Sequence, residues 1–267
     1  METAQPLLRW AGSKRQIVPT LARYWSDDFK RYVEPFAGSA CLFFHLAPRT
    51  ALLGDINSEL LATYRCVKLR YSEVFKLLRT MRKGEREYYE IRALQPERLS
   101  PTKRAARFIY LNRYCFNGLY RTNQSGSFNV PYGGHGSGSL PSAEVLQRVS
   151  SLLKRATLID GDFEKVLDRV KHGDFVYMDP PFSVSDRRVF KEYDASVFGW
   201  KDIVRLRQRL DRLAEMGIPF VVSYVQSEEA EYLCRGFKVS AVSVRRNISG
   251  FLASRRNCQE LLISNLA

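Results

Sequence analysis

The feature that most restricts the fold is an alternation. Short apolar, β-branched runs recur along the chain, with helix-period patterns between several of them. The runs read as strands are Arg31–Phe36, Ala51–Ile56, Ala156–Asp160, Asp174–Met178, Pro219–Val225, Phe237–Val244 and Glu260–Ser264. The helical patterns are Gln16–Trp25, Ala40–Leu46, Glu59–Lys68, Ala143–Lys154 and Lys201–Met216. Strands separated by helices predict an α/β sheet with parallel strands. The last two runs have no long helix between them, which predicts an antiparallel hairpin at the sheet edge.

The middle of the chain breaks the alternation. From Arg65 to Arg121 there are fifteen Lys/Arg against five Glu, so this stretch carries ten of the chain's fourteen net positive charges. Its helical patterns, Ser72–Lys83, Glu85–Ala93 and Lys103–Asn112, are charged on most faces. A Gly-, Ser- and Asn-rich stretch follows, from Gly118 to Ser139, and within it Tyr120–Val130 reads as two short strands around a Gly-containing turn. A smaller, mainly helical domain over 65–142 is therefore expected, inserted into an α/β core made of 1–64 and 143–267.

Composition removes several classes. A net charge of +14 over 267 residues points to a polyanionic partner, with nucleic acid the default. No apolar run reaches the ~20 residues of a membrane span. The N-terminus lacks the apolar core of a secretion signal. Five cysteines without paired spacing read as free thiols of a reducing cytoplasm, and no metal site is expected.

Three motifs carry chemistry. Asp179-Pro-Pro-Phe182 follows the strand ending at Met178, and open α/β sheets bind ligands at strand carboxyl ends. Two prolines fix the backbone and leave carbonyls free to accept. A carboxylate, a proline carbonyl and a planar ring suit an exocyclic amine, whose delocalised lone pair makes it a poor nucleophile. A rigid loop after a strand is the other reading, and these four residues alone leave both open. Glu34-Pro-Phe36-Ala-Gly38-Ser follows the first strand, and its one glycine falls short of the dinucleotide-binding pattern. Asp55 lies seventeen residues after Gly38, where an acid commonly binds ribose hydroxyls or merely caps a helix. Arg9-Trp10-Ala-Gly-Ser-Lys14 sets an aromatic ring beside a cation. Trp10 is a candidate to face a sulfonium methyl group, and Lys14 to pair with a cofactor carboxylate.

Taken in order, these motifs resemble the Dam-type family of site-specific DNA adenine methyltransferases. RWAGSK, EPFAGS, LLGDINSELLATY, YLNRYCFNGLYRTNQSGSFNVPYG, GDF, VYMDPPF and VRRNISG together cover nearly the whole chain. The resemblance implies a Rossmann-like methyltransferase sheet carrying an inserted target-recognition domain with a β-hairpin. It implies S-adenosylmethionine as methyl donor and adenine N6 in duplex DNA as acceptor, within GATC or a related site. Asp179, Pro180 and Phe182 would form the amino-group site. Trp10, Lys14, Phe36, Gly38, Asp55, Asp162, Phe163 and Asp179 would line the cofactor pocket. Arg9, Phe116, Asn117, Leu119, Arg121 and Pro131 would read and open the DNA, with a flipped adenine stacked on Phe182.

Departures from the family pattern are few. Ala40 stands where many members have a second glycine, Ser13 where many have Gly, and Phe116 and Phe182 where Tyr is common. The hairpin tip, Thr122 and Gln124–Ser127, differs most and bears on the target site. Alternatives are a catalytically silent DNA-binding protein on the same scaffold and an amino-group methyltransferase acting on RNA or protein. A cognate restriction endonuclease, as a separate protein, is an expected partner.

Overall fold

The computed structural model describes residues 4–182, 198–245 and 257–266. The strands are β1 (Arg31–Glu34), β2 (Ala51–Asp55), β3 (Ala156–Asp160), β4 (Asp174–Met178), β5 (Phe220–Val225), β6 (Lys238–Arg245) and β7 (Asn257–Ser264). The α-helices are α1 (Val18–Leu21), α2 (Cys41–Leu46), α3 (Ser58–Leu78), α4 (Glu85–Ala93), α5 (Pro101–Tyr114), α6 (Ala143–Leu153), α7 (Phe163–Leu167), α8 (Trp200–Glu215) and α9 (Glu228–Leu233).

Among the described residues these strands form one sheet in the order β3-β2-β1-β4-β5-β7-β6. β1 to β5 pair in parallel, and β7 runs antiparallel between β5 and β6. This is the expected Rossmann-like, mostly parallel α/β sheet. The last two strands do pair with each other, but β7 inserts inward and leaves β6 at the edge.

Side-chain alternation divides the core into two layers. Tyr32, Leu53, Phe175, Tyr177, Val221 and Leu262 join one apolar cluster, and their neighbours Val33, Leu52, Val176, Val222 and Ile263 join the other. Covering both faces explains why β4 reads as an unbroken apolar run. On the second face α8 packs Ile203, Leu206, Leu210 and Leu213, spaced one helical turn apart.

Helix starts follow local chemistry. Asn57 caps α3 by accepting from the Leu60 N–H at 3.0 Å. Ser100 caps α5, with Pro101 at its first position, and Ser142 caps α6. The patterns at Glu59–Lys68 and Ser72–Lys83 prove to be one helix, α3, bent at Arg70 (φ −139°, ψ 35°). The division expected at 64/65 thus falls inside α3. One apolar cluster continues from Phe43 and Tyr64 through Val74 and Tyr88 to Ile109 and Val130. The hairpin exists as a single antiparallel bridge, Thr122 to Phe128, closed by Asn123 N–H to Ser127 O at 2.9 Å.

Candidate active site

Strand order reverses between β1 and β4, so a crevice opens at their carboxyl ends. Three adjacent strands deliver acids there: Asp55 ends β2, Glu34 ends β1 and Asp179 follows β4. Burial raises the pKa of carboxyl groups gathered in such a place. Burial pushes the Glu34 carboxyl well above its usual range, with Tyr32 beside it partly opposing. Burial also raises Asp55, against the backbone N–H groups of Asn57 and Gly38.

Asp179 is held from one side. Lys14 Nζ forms an ion pair with its Oδ1 at 2.8 Å, and Ser223 Oγ donates to the same oxygen at 3.3 Å. Tyr177 OH in turn meets Ser223 Oγ at 3.0 Å. Among the described residues no hydrogen bond is donated to Oδ2, and the side chain is 22% exposed. Oδ1 is thus the oxygen that the described residues anchor. Burial raises the Asp179 carboxyl, and the Lys14 charge opposes it. Pro180 is buried, and Phe182 stands edge-on to Tyr224 at 5.3 Å between centroids.

Lys14 is the residue expected to pair with a cofactor carboxylate. Its ammonium meets two carboxylates of the protein, Asp179 and Glu260, the latter at 2.7 Å. It also lies 4.9 Å from the Phe182 ring centroid. Burial alone would lower its pKa, but the two carboxylates outweigh burial and leave it raised.

The loop after β1 makes a tight cradle. Gly38 has φ +46°, and a Cβ there would sit 2.8 Å from Trp10 Cδ1. Its N–H donates to Asp55 Oδ2 at 2.8 Å, and Asn57 N–H donates to Oδ1 at 2.9 Å. Ala40 also takes the left-handed conformation, φ +49°. On the other side Phe36 stacks on Phe163 at 5.3 Å, and Phe198 packs edge-on to Phe36. Asp162 caps α7 and pairs with Arg205 at 2.7 Å, while the Arg205 guanidinium lies over Phe163.

The residues expected to meet DNA lie around the segment after α5. Asn112 clamps the Arg9 backbone by two hydrogen bonds, 2.8 and 2.6 Å. Trp10 stacks on Tyr120 at 5.8 Å, so the N-terminal loop touches both Gly38 and the hairpin. Phe116 is 41% exposed, its N–H held by the Pro131 carbonyl, and Asn117 is left-handed at φ +53°. Leu119 instead packs half-buried against the core. Arg121 is exposed, and its Nε donates to Asn129 Oδ1 at 2.8 Å. Of the closing motif Val244–Gly250, residues 246–250 lie outside the described residues.

Sequence reasoning missed Glu260, Ser223, Glu34, Phe198 and Arg205 as parts of this site. Ser223 did carry a signal, being a polar residue within an otherwise apolar strand. Phe198 and Arg205 carried none. Among the described residues no His/Cys/Asp/Glu group is arranged for a metal, and no helix is long and apolar enough to cross a membrane.

Comparison with known proteins agrees with this geometry. Residues 10–248 match the family described as D12 class N6 adenine-specific DNA methyltransferase. The chain is 34% identical over 270 residues to Type II methyltransferase M1.LlaDCHI of Lactococcus lactis subsp. cremoris, covering 98% of this chain and 95% of that one. It is 31% identical to Type II methyltransferase M.MjaIII of Methanocaldococcus jannaschii, with 98% and 99% covered. It is also 31% identical to the DNA adenine methylase of Escherichia coli, with 98% and 95% covered.

Proposed function

Because the chain belongs to the D12 class of N6 adenine-specific DNA methyltransferases, we propose that Asp179, Pro180 and Phe182 hold the target adenine. S-adenosylmethionine would lie against Gly38, Asp55 and the Phe36–Phe163 side. Residues 65–142 would read the DNA, with GATC or a related site as target. The observation that carries this is the half-anchored Asp179 carboxylate at the point where strand order reverses.

The cradle fits such a cofactor. Each Asp55 oxygen accepts one backbone N–H and keeps a second acceptor position, so the pair of oxygens can take two vicinal hydroxyls. Gly38 has no side chain to block the approach. Trp10 closes the same loop, and Asp162 with Phe163 offers an acceptor beside a ring face for an adenine. When bound, S-adenosylmethionine supplies a methyl group already activated on a sulfonium.

The chain's own residues then act on the amino group. Asp179 Oδ2 and the Pro180 carbonyl accept its two hydrogens, which turns the nitrogen lone pair toward the methyl donor. Phe182 stacks on the base and returns ~1–3 kcal/mol toward the cost of extruding it. As the nitrogen becomes cationic, Oδ2 takes its proton and passes it to solvent. Phe116, exposed on its left-handed turn, fills the gap left in the duplex. Asn117, Leu119 and Pro131 support that turn, while Arg9 and Arg121 are assigned to guanine. The basic stretch from Arg65 to Arg121 contacts phosphates. A restriction endonuclease, as a separate protein, is the partner that similarity to Type II methyltransferases suggests, and a cytoplasmic setting goes with a DNA substrate.

Asp179→Ala tests the site. Methyl transfer should disappear while duplex binding stays within about threefold, since the phosphate contacts and the bases read within the duplex are untouched and only one contact to the extruded base is lost. Retained turnover would remove Asp179 from this role.

A further inference from the structure

We propose that Glu260 is a positioning residue for methyl transfer: from β7 it holds Lys14, and Lys14 holds Asp179 by Oδ1. This rests on the assignment of Asp179 to the amino-group site. The register brings the partners together. Tyr177 lies opposite Val221, Ser223 opposite Leu262 and Val225 opposite Glu260. Tyr177, Ser223 and Glu260 therefore point to one face of the sheet, and Asp179, two residues beyond Tyr177, continues on it. Lys14 sits on that face with its side chain 4% exposed, between a Glu260 side chain at 5% and Asp179.

A single cation shared by two acids is more than charge compensation needs. Asp179 alone would neutralise Lys14, and a second buried carboxylate adds to the desolvation cost. What the second acid adds is direction. Lys14 hangs on an N-terminal loop by a long flexible stem. Glu260 lies on a strand paired on both sides, by β5 and β6, and fixes the ammonium at one place. Oδ1 of Asp179 is pinned as a result, and Oδ2 is aimed.

Glu260 also sets the basicity of Asp179. The groups facing Asp179 are Lys14, Glu260, Glu34 and the Ser223 hydroxyl. Among the described residues Tyr177 and Cys41, whose pKa values burial raises, also lie near it. Lys14 lowers the Asp179 pKa and Glu260 raises it. Beside Glu260, the Asp179 carboxylate keeps more affinity for amino hydrogens than a lone lysine would leave it.

The test is the pH dependence of kcat for Glu260→Gln, Glu260→Asp, Lys14→Met and the Lys14→Met/Glu260→Gln double variant. Glu260→Gln should lower kcat by on the order of 10- to 100-fold, the scale of a misaimed group. It should also shift the acid limb to lower pH and leave cofactor KM within about twofold. In the Lys14→Met background the same change should lower the plateau kcat no further, because Glu260 positions Asp179 through Lys14, while its direct effect on the acid limb remains. An unmoved acid limb with wild-type kcat, or additive losses in the double variant, overturns the proposal. Asp179→Ala in the same assay separates the two readings. Turnover there removes the site itself, whereas a dead Asp179→Ala beside a wild-type Glu260→Gln removes only the role of Glu260. If Glu260→Gln does not fold, Glu260→Asp carries the test. It should lower kcat without moving the acid limb, because charge is kept and reach is shortened, and wild-type kcat there overturns the proposal.

Discussion

Gly38 and Ala40 lie two residues apart in the same loop, and both adopt positive φ. A left-handed L-residue costs about 1–2 kcal/mol, which Gly38 avoids and Ala40 bears. Gly38→Ala adds that strain and drives a Cβ to 2.8 Å from Trp10. Stability should fall by about 1–3 kcal/mol on chemical denaturation, with weaker cofactor binding. Ala40→Gly relieves strain but loses a buried methyl worth about 0.8 kcal/mol and frees the unfolded chain by about 0.4–1 kcal/mol. These terms nearly cancel, so its stability should stay within about 1 kcal/mol of wild type; a larger gain would mean the methyl packs poorly. Glu34 gives a pH-dependent case. Its folded pKa is raised by burial, so above the usual carboxylate range the unfolded chain ionises while the folded chain holds its proton. Stability from this group therefore falls as pH rises through that interval. Glu34→Gln removes the penalty, and its Tm advantage over wild type should be larger at about pH 8 than at about pH 5. An advantage that shrinks with pH would contradict a Glu34 carboxyl raised by burial. Gly38, Asp55 and Asp179 were legible because each follows a strand run inside a short local motif. Glu260 was not legible, because its partner Lys14 is far away in the chain and only the sheet register joins them.

At the scale of elements, α7 and α8 meet through Arg205, which pairs with Asp162, Glu164 and Asp202 and covers Phe163. These side chains are between about a quarter and a third exposed, so screening leaves each pair only ~0.2–1 kcal/mol. Their larger effect is to orient the start of α7. Arg205→Met should thus lower Tm only slightly while weakening cofactor binding several-fold by calorimetry; unchanged affinity with a large Tm loss would make the network purely structural. Element readings succeeded where the period was long enough. The apolar stripe of α8 is visible in sequence. α7 and α9, with five and six residues, are too short to show a period. The two helices expected from 59 to 83 are one because neither Gly nor Pro stands between Lys68 and Ser72, so a bend at Arg70 replaces a break.

For the whole molecule, the parallel half of the sheet was legible from alternation, since each strand needs a crossover to reach the next. The strand order was not, and neither was the inward place of β7, because both depend on pairings between distant segments. That inward place puts Glu260 on the same ammonium, Lys14, as Asp179. The charge distribution was fully legible, and ten of fourteen net charges fall in the stretch assigned to DNA. Sheet, acid row and basic insertion converge on one activity, adenine methylation at a specific duplex site. The most direct measurement follows labelled methyl from S-adenosylmethionine into a duplex with a single GATC and into a scrambled duplex. N6-methyladenine in the GATC duplex alone is the predicted result. Labelled adenine in neither duplex, with the protein folded and the cofactor bound, would contradict it.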